Sequence, residues 1–195
     1  KVTERYHAIL SSSPEMDRGE IKVPIRSTCQ GLGSIITCVP DYSSVYKDRS
    51  YVPDDVLPAI SNFYMVSKMP PPPTTQSRTF KNYSTRSRAS LCLFRTSTCF
   101  KDQIRCHSAE ILNCPILGDH KYSKNTNLPQ ELPKFMLRLL KLNNSWDAKT
   151  LPMFLHLTEI SFESPTDSNH QIIIKCPLPE FFTTGLSLLQ LKINQ

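Results

Sequence analysis

The sequence predicts a β-rich α+β fold, made of small disulfide-bonded domain(s) with a long C-terminal β-hairpin and few short helices. Three observations lead to this prediction. Apolar and polar residues alternate through 151–176, helical spacing is limited to short stretches, and seven cysteines are spread over 195 residues. Hydrophobic residues make up 39% of the chain, which argues against wholesale disorder.

A run of four prolines, Pro70–Pro73, marks the predicted domain boundary. Consecutive prolines favour polyproline II and cannot lie inside a helix or a central strand. The predicted domains are therefore an N-terminal β/irregular lobe with an extended arm (1–69), a proline-rich and basic connector (70–90) and a C-terminal α+β lobe (91–195). We interpret the proline run as a surface connector; a ligand for an SH3-like partner is the alternative.

The first lobe predicts one short hairpin. Residues 1–20 are mostly polar, which favours a loosely held arm. The β-like runs 21–25 and 34–39 follow, with turn glycines between them, and this order is typical of a hairpin. Cys29 and Cys38 flank the predicted turn, so the sequence allows a direct bridge between them.

The second lobe carries the clearest patterns. Residues 91–100 alternate as a strand, and 101–114 have helical spacing. The segment 133–142 fits a helix or a strand equally well. Residues 151–176 form two alternating runs around the turn residues 163–169, which predicts a hairpin, and 186–193 predicts a further strand or short helix.

The cysteines indicate the compartment. No CxxC occurs, and the gaps among Cys99, Cys106, Cys114 and His120 are wider than zinc knuckles use, so no metal site is predicted. A density this high without metal spacing is typical of disulfides in an oxidising compartment; reduced, partly buried thiols are the alternative. The odd number leaves one sulfur for a link to another chain or for a buried free thiol. The disulfide candidates are Cys29, Cys38, Cys92, Cys99, Cys106, Cys114 and Cys176.

Two sequons, at Asn82 and Asn143, are glycosylation candidates compatible with secretion. Their number is close to what chance predicts for this composition. They therefore agree with a secreted protein without arguing for one.

A basic segment gives the predicted contact surface. The net charge is +6 and the pI is near 9.0. Basic residues interleave with two aromatic residues over 78–88, which suits a polyanion such as heparan sulfate, an acidic protein partner or only water. Nucleic acid is a weaker interpretation of the same pattern. The candidate contacts are Arg78, Lys81, Arg86 and Arg88.

No catalytic motif stands out. Five histidines are available, but neither a GxSxG elbow nor a cysteine-protease signature accompanies them. Five glycines argue against nucleotide folds with phosphate loops. The sequence thus predicts a non-enzyme without cofactors. No apolar run reaches the roughly 18 residues of a membrane helix and Lys1 opens no signal peptide, so we expect a mature ectodomain or an intracellular piece.

One stretch carries a family resemblance. Gly118-Asp119-His120, the apolar run 135–142 and Ser145-Trp146 precede the hairpin, which closes at Cys176-Pro177-Leu178. This order resembles the C-terminal half of a small accessory glycoprotein of cytomegaloviruses, from the pentamer built on glycoproteins H and L. The small glycoprotein Q subunit of roseoloviruses, another betaherpesvirus protein, is similar in size and lack of an anchor.

The resemblance implies a non-catalytic, secreted or virion-surface subunit. It would assemble with other envelope glycoprotein subunits, without direct membrane insertion, and help to present a surface for a host cell-surface receptor. The alternative function is an intracellular nucleic-acid-associated β-domain with reduced cysteines.

Overall fold

Two antiparallel sheets organise the protein. The computed structural model describes residues 2–30, 33–40, 55–71, 87–123, 128–166 and 170–193. The nine strands in these residues are β1 (Thr3–Leu10), β2 (Arg18–Lys22), β3 (Ile25–Gln30), β4 (Gly33–Cys38), β5 (Val56–Leu57), β6 (Ile60–Lys68), β7 (Ser90–Thr96), β8 (Leu155–Glu163) and β9 (Gln171–Lys175). The main sheet has the order β2-β6-β7-β1-β8-β9, and the small sheet has the order β4-β3-β5.

The helices within the described residues are short. They are α1 (Gln103–Cys106), which continues into a π-helical turn (His107–Ile111), α2 (Lys134–Leu139) and α3 (Glu180–Leu188), with a 3₁₀ turn at Ser145–Thr150. Proline precedes both α2 and α3, where its fixed φ suits the start of a helix. The segment 133–142, which the sequence leaves undecided, is thus mainly helical. No helix in the described ranges has the length and apolarity to cross a bilayer.

The N-terminal segment is an interior strand of the main sheet, so the prediction of a loosely held arm is wrong. β1 pairs with β7, Ile9 opposite Leu91, and with β8, Ala8 opposite Leu155. Ala8 and Ile9 are completely buried. The sequence did not indicate an interior strand, since the first half of β1 is polar. Its partner strands β7 and β8 also lie about 80 and 150 residues away along the chain. The domain limits at 1–69, 70–90 and 91–195 stay a prediction; β6 and β1, from the first predicted lobe, lie on either side of β7, from the second.

The two faces of the main sheet carry separate cores, because successive side chains of a strand point to opposite faces. Ile9 and Leu91 belong to the core that α2 and α3 cover, which we call the closed face. Ala8, Leu10 and Phe94 belong to the core that α1 covers, which we call the cleft face. The closed face is filled almost entirely by hydrocarbon, including the rings of Phe154 and Phe182 with centroids 5.8 Å apart.

The small sheet packs against α1 through a third core. β4 covers most of the predicted run 34–39, but its hairpin partner is β3 and not the predicted run 21–25, because Ile21 and Lys22 lie in β2, which pairs with β6. The register of β3 and β4 excludes a bridge from Cys29 to Cys38. Cys38 pairs with Ile25 and Cys29 with Ser34, so the two cysteines lie four residues apart along the hairpin, roughly 13 Å. Ile25 and Ile36 instead pack beside Cys106.

The prediction of disulfide-bonded domains is wrong. No disulfide occurs among the residues that the structure describes. Cys92 and Cys106 are completely buried within apolar clusters, as free thiols often are. The α+β composition is compatible with the structure, and β8 and β9 pair as an antiparallel hairpin over Glu159–Glu163.

Candidate active-site cleft

A cleft of about 230 Å³ opens where β1, β7 and the loop before α1 meet. Glu4 and Tyr6 are two residues apart on β1 and therefore share a face, and Thr96 of β7 lies opposite Glu4 in the register. The cleft is lined by Glu4, Tyr6, Thr96, Thr98, Cys99, Phe100, Asp102, Gln103, Ile104, Arg105, Met153 and Leu155.

One wall of the cleft joins a hydroxyl, a carboxylate and a thiol. The Tyr6 hydroxyl donates to Oε2 of Glu4 across 2.7 Å. Burial raises the pKa of Tyr6 well above its ordinary value, and the hydrogen bond to Glu4 raises it further. Burial and Glu4 also raise the pKa of the Cys99 thiol. At neutral pH this wall therefore presents a protonated phenol and a protonated thiol beside Glu4.

The Thr96 hydroxyl is the unusual polar group of the cleft. Its oxygen is buried without a nitrogen or oxygen hydrogen-bond partner among the described residues; a weak interaction with the Cys99 thiol is its one polar contact there. Buried hydroxyls are nearly always paired, because an unpaired one costs about 1–3 kcal/mol. A bound polar ligand would supply the missing partner.

Two residues of the cleft lining, Asp102 and Arg105, belong to an ion-pair network that we call the floor of the cleft. Arg105 binds Asp119 with both Nε and Nη2, each at 2.8 Å, and its Nη1 lies 2.7 Å from Oδ1 of Asp102. Lys121 contacts the other oxygen of Asp102 at 2.7 Å. The hydrogen bonds to Asp119 raise the pKa of Arg105. Although burial opposes it, Lys121 and Arg105 lower the pKa of Asp102. These charges are mutually satisfied and fix the floor rigidly.

A glycine turn brings Asp119 to this floor. Gly118 has a φ of 77°, and a Cβ there would overlap the carbonyl oxygen of Pro152. Only glycine both adopts this positive φ without strain and leaves room for the Pro152 carbonyl. The turn places the Asp119 carboxylate, which is fully buried, against Arg105.

Polar side chains also anchor α1 to the main sheet. Nε2 of Gln103 donates to Ile60 and Ser61 on β6, and its Oε1 accepts from Thr98 at 3.0 Å. His107 contacts the Ser61 hydroxyl through Nδ1 and the Val23 carbonyl through Nε2, each at 2.9 Å. Burial lowers the pKa of His107, which favours the neutral ring. The cleft is thus held in shape by buried hydrogen bonds.

A larger groove of about 690 Å³ lies elsewhere on the molecule, between 11–15, 112–115 and 128–133. It is lined mainly by serines, prolines and amides, with the exposed ring of Trp146 at one side. Its lining also contains two glutamates and the Cys114 thiol but, among the described residues, no arginine, whereas the smaller cleft places Arg105 beside an acid, a phenol and a thiol. We therefore take the smaller cleft as the candidate site.

The structure scatters most of the candidate residues that the sequence predicts. Cys99 lines the cleft, Cys92 and Cys114 lie in the core of the cleft face, and Cys176 is exposed beyond β9. Cys38 and Cys106 approach to 3.0 Å between sulfurs. The Cys29 side chain lies outside what the structure describes.

The basic and glycosylation candidates are mostly outside the described residues, namely Arg78, Lys81, Asn82 and Arg86. Arg88 donates to the Met69 carbonyl at 3.1 Å and so helps to hold the chain near the proline run. Asn143 lies in an exposed turn, where its backbone N–H donates to Asp147. Its glycosylation stays a prediction.

Sequence reasoning missed Glu4, Tyr6 and Arg105. The signal for the first two was present, since both precede the apolar run Ala8-Ile9-Leu10 with strand spacing. The pairing of Arg105 with Asp119 has no local signal, because the two residues are 14 positions apart and Asp119 lies beyond the helical segment that contains Arg105.

Comparisons with known proteins point to RNA-modifying enzymes. No family model matches the chain. The mitochondrial pseudouridylate synthase RPUSD4 of Xenopus tropicalis is 40% identical over 113 residues, which cover 57% of this chain and 34% of that protein. The human mitochondrial mRNA pseudouridine synthase RPUSD3 is 25% identical over 208 residues, which cover 98% of this chain and 52% of that protein. The chain thus spans about a third to a half of the curated relatives it matches.

Solved structures show the fold. Human RNA pseudouridylate synthase domain containing 4 superposes with a TM-score of 0.70 at 24% identity, covering 100% of this chain and 64% of that one. Human RNA pseudouridylate synthase domain containing 1 gives a TM-score of 0.56 at 16% identity, covering 94% and 58%. The fold is that of RNA pseudouridylate synthase domains.

These matches overturn the resemblance to betaherpesvirus glycoproteins. The matched proteins are named as synthases, so the expectation of a non-enzyme is wrong, and their names specify RNA and mitochondria. The expected envelope glycoprotein partners, host receptor and secreted or virion-surface location are therefore wrong, as is the low weight given to nucleic acid. The findings favour the alternative of an intracellular nucleic-acid-associated domain. The order of motifs over 118–178 misled because glycine turns, apolar helices and hairpins recur in unrelated folds.

Proposed function

We propose that this chain belongs to a pseudouridine synthase and that its cleft binds a uracil base of RNA. The proposal rests mainly on the agreement of two comparisons. One such enzyme is 40% identical in sequence to this chain over 113 residues. The structure of another superposes on the whole of this chain. By analogy with the relatives, mitochondrial RNA is the proposed substrate class.

The conversion of uridine to pseudouridine determines which groups a binding site for the base needs. Uridine and pseudouridine are isomers: the bond from C1′ to N1 of uracil breaks, a bond from C1′ to C5 forms, the proton on C5 leaves to solvent and N1 takes up a proton. The detached base has to turn while remaining in place. A site therefore needs a flat wall, donors for the two carbonyl oxygens of uracil, and exclusion of water.

The cleft offers such surroundings. Its volume of about 230 Å³ lies below the roughly 300 Å³ where small-molecule sites usually begin, which suits one base with its ribose and phosphates outside. The ring of Tyr6 supplies a flat wall, and base–aromatic stacking contributes about 1–3 kcal/mol. The Thr96 hydroxyl, which has no nitrogen or oxygen partner among the described residues, is a ready partner for a uracil carbonyl or N–H.

Charge favours RNA as the partner. The chain carries a net charge of +6, and positive charge attracts the phosphate backbone. Arg105 is satisfied by Asp102 and Asp119, so it acts as a positioning residue that fixes the floor. The proposal assigns the holding of the base during the reaction to Tyr6 and Thr96, which line the cleft.

The test is release of tritium from RNA labelled at C5 of uridine, because that proton leaves when C5 bonds to C1′. The full chain is incubated with a pool of labelled transcripts covering mitochondrial RNA. We expect tritium release, reduced about tenfold in Tyr6→Phe, which keeps the ring but loses the hydrogen bond that orients it on Glu4. The matched control is Tyr64→Phe, a change at an exposed tyrosine on β6 away from the cleft. Absence of release by a folded protein, or equal loss in both variants, would contradict the proposal.

A further inference from the structure

Two cysteines distant in sequence meet behind the cleft, together with a carboxylate. Cys106 ends α1 and Glu110 lies four residues further, so both side chains occupy one side of the helical segment. Cys38, the last residue of β4, packs against them with its sulfur 3.0 Å from that of Cys106. The Cys38 N–H donates to Oε2 of Glu110 at 2.8 Å, and the two sulfurs and a Glu110 oxygen all lie within 4.8 Å of one another.

The sulfur separation fits neither a disulfide nor an ordinary contact of two thiols. A disulfide bond is about 2.05 Å long. Two thiolates on one tetrahedral zinc ion, each at about 2.3 Å, lie roughly 3.7 Å apart. The observed 3.0 Å lies between these values. A disulfide would involve only Cys38 and Cys106, whereas a bound cation would be contacted by both sulfurs and by the Glu110 carboxylate.

Electrostatics favours a cation. Three groups with negative or ionisable character, the two thiols and the Glu110 carboxylate, crowd within 4.8 Å of one another. The neighbouring cation, Arg105, is engaged by Asp119 and Asp102. A bound dication would offset the repulsion among the three groups.

We propose that Cys38, Cys106 and Glu110 bind one Zn²⁺ ion through two thiolates and a carboxylate, with water at the fourth position. Thiolate and carboxylate ligands in tetrahedral arrangement are typical for zinc. The fourth position faces solvent, because Glu110 is exposed and Cys38 is half-buried. On binding, each thiol loses its proton to solvent, so two protons are released and no electron is transferred.

The site has a structural consequence for the cleft. It would tie β4, and with it the small sheet, to the helical segment that contains Arg105. Sequence spacing hides it, since 68 residues separate the two cysteines and no zinc knuckle is present. The inference rests on the geometry of these three residues and is independent of the proposed function.

The experiment adds Co²⁺, and separately Zn²⁺, to the reduced full chain after chelator treatment. We expect one equivalent of Co²⁺ to give a sulfur-to-cobalt charge-transfer absorption in the near ultraviolet, which one equivalent of Zn²⁺ abolishes. Cys38→Ser should weaken binding at least about 100-fold and Glu110→Gln about tenfold, since even outer-shell changes cost 10–100-fold. Cys176→Ser, an exposed thiol outside the cluster, is the matched control and should bind as the parent does.

Three results would overturn the inference. They are no thiolate absorption from the folded, reduced protein; absorption that persists unchanged in Cys38→Ser; or a disulfide between Cys38 and Cys106 that forms in the presence of zinc and excludes it. Glu110 is exposed, so Glu110→Gln should fold normally and keeps the test valid if Cys38→Ser does not fold.

Discussion

The two faces of the main sheet are held together by different interactions. The closed face buries hydrocarbon under α2 and α3, with Phe182 and Leu189 completely inaccessible. The cleft face is covered by α1, which is held by Gln103, Arg105 and His107 through hydrogen bonds and ion pairs. Hydrocarbon packing is non-directional and tolerates adjustment, whereas charged pairs fix atoms in one geometry. Stability and precise positioning are therefore assigned to opposite sides of one sheet.

The largest expected effect is on the closed face. Phe182→Ala should lower the free energy of unfolding by about 3–5 kcal/mol, because it removes a buried ring and leaves a cavity. Urea denaturation measures the change. The neighbouring Phe181, 41% exposed, provides the control, and Phe181→Ala should cost less than half as much. Equal costs would show that the closed face does not carry the core.

Arg105→Gln tests the polar side of the comparison. It leaves the fully buried Asp119 carboxylate without its bidentate partner, so we expect a loss of about 3 kcal/mol in unfolding free energy. Unlike Phe182→Ala, it should also abolish RNA modification in the protein that remains folded. Arg95→Gln, a change at an exposed arginine on β7, should alter stability by less than about 0.5 kcal/mol. Normal activity of the folded Arg105→Gln variant would show that the ion pairs of Arg105 are not needed for the function of the cleft.

Thr96→Val separates positioning from stability most cleanly. Valine keeps the shape of the threonine side chain. The change removes a buried hydroxyl that has no nitrogen or oxygen partner among the described residues, so the free energy of unfolding should stay equal or rise slightly. Tritium release should fall about tenfold, the value of one hydrogen bond to the base. A fall in stability together with unchanged activity would mean that Thr96 serves the core only.

His107 should give the smallest effect, visible as pH dependence. Its Nε2 donates to the Val23 carbonyl while Nδ1 accepts from Ser61, an arrangement that suits the neutral ring. Because burial lowers the pKa of His107 in the folded state, stability should be complete above about pH 6.5 and be lost as pH falls toward the lowered pKa. His107→Gln should flatten that part of the curve in unfolding experiments between pH 5 and 8. His7, whose pKa burial also lowers, would retain a residual slope.

Local patterns predicted the local structure, and long-range pairing escaped them. The hairpin β8–β9 followed from alternation and turn residues, since it pairs neighbouring segments. The first strand predicted for the other hairpin, 21–25, was wrong because part of it lies in β2, whose partner β6 is about 40 residues away. β1 could not be recognised as an interior strand, because β7 and β8, which give it hydrogen bonds, are far along the chain. The same reason hid the cleft, which joins residues 4–6 to residues 96–105. Counting cysteines misled because buried thiols and disulfide partners look alike in sequence.

Photo-crosslinking of the full chain to RNA containing 5-iodouridine tests the central claim most directly, because the label is the uracil itself. Mass spectrometry of the crosslinked peptides then locates the base. We expect crosslinks within β1 and within 96–105, and their loss when Tyr6 is replaced by alanine. Crosslinks confined to the larger groove around Trp146, or to the basic segment 78–88, would contradict the assignment of the cleft as the uridine site.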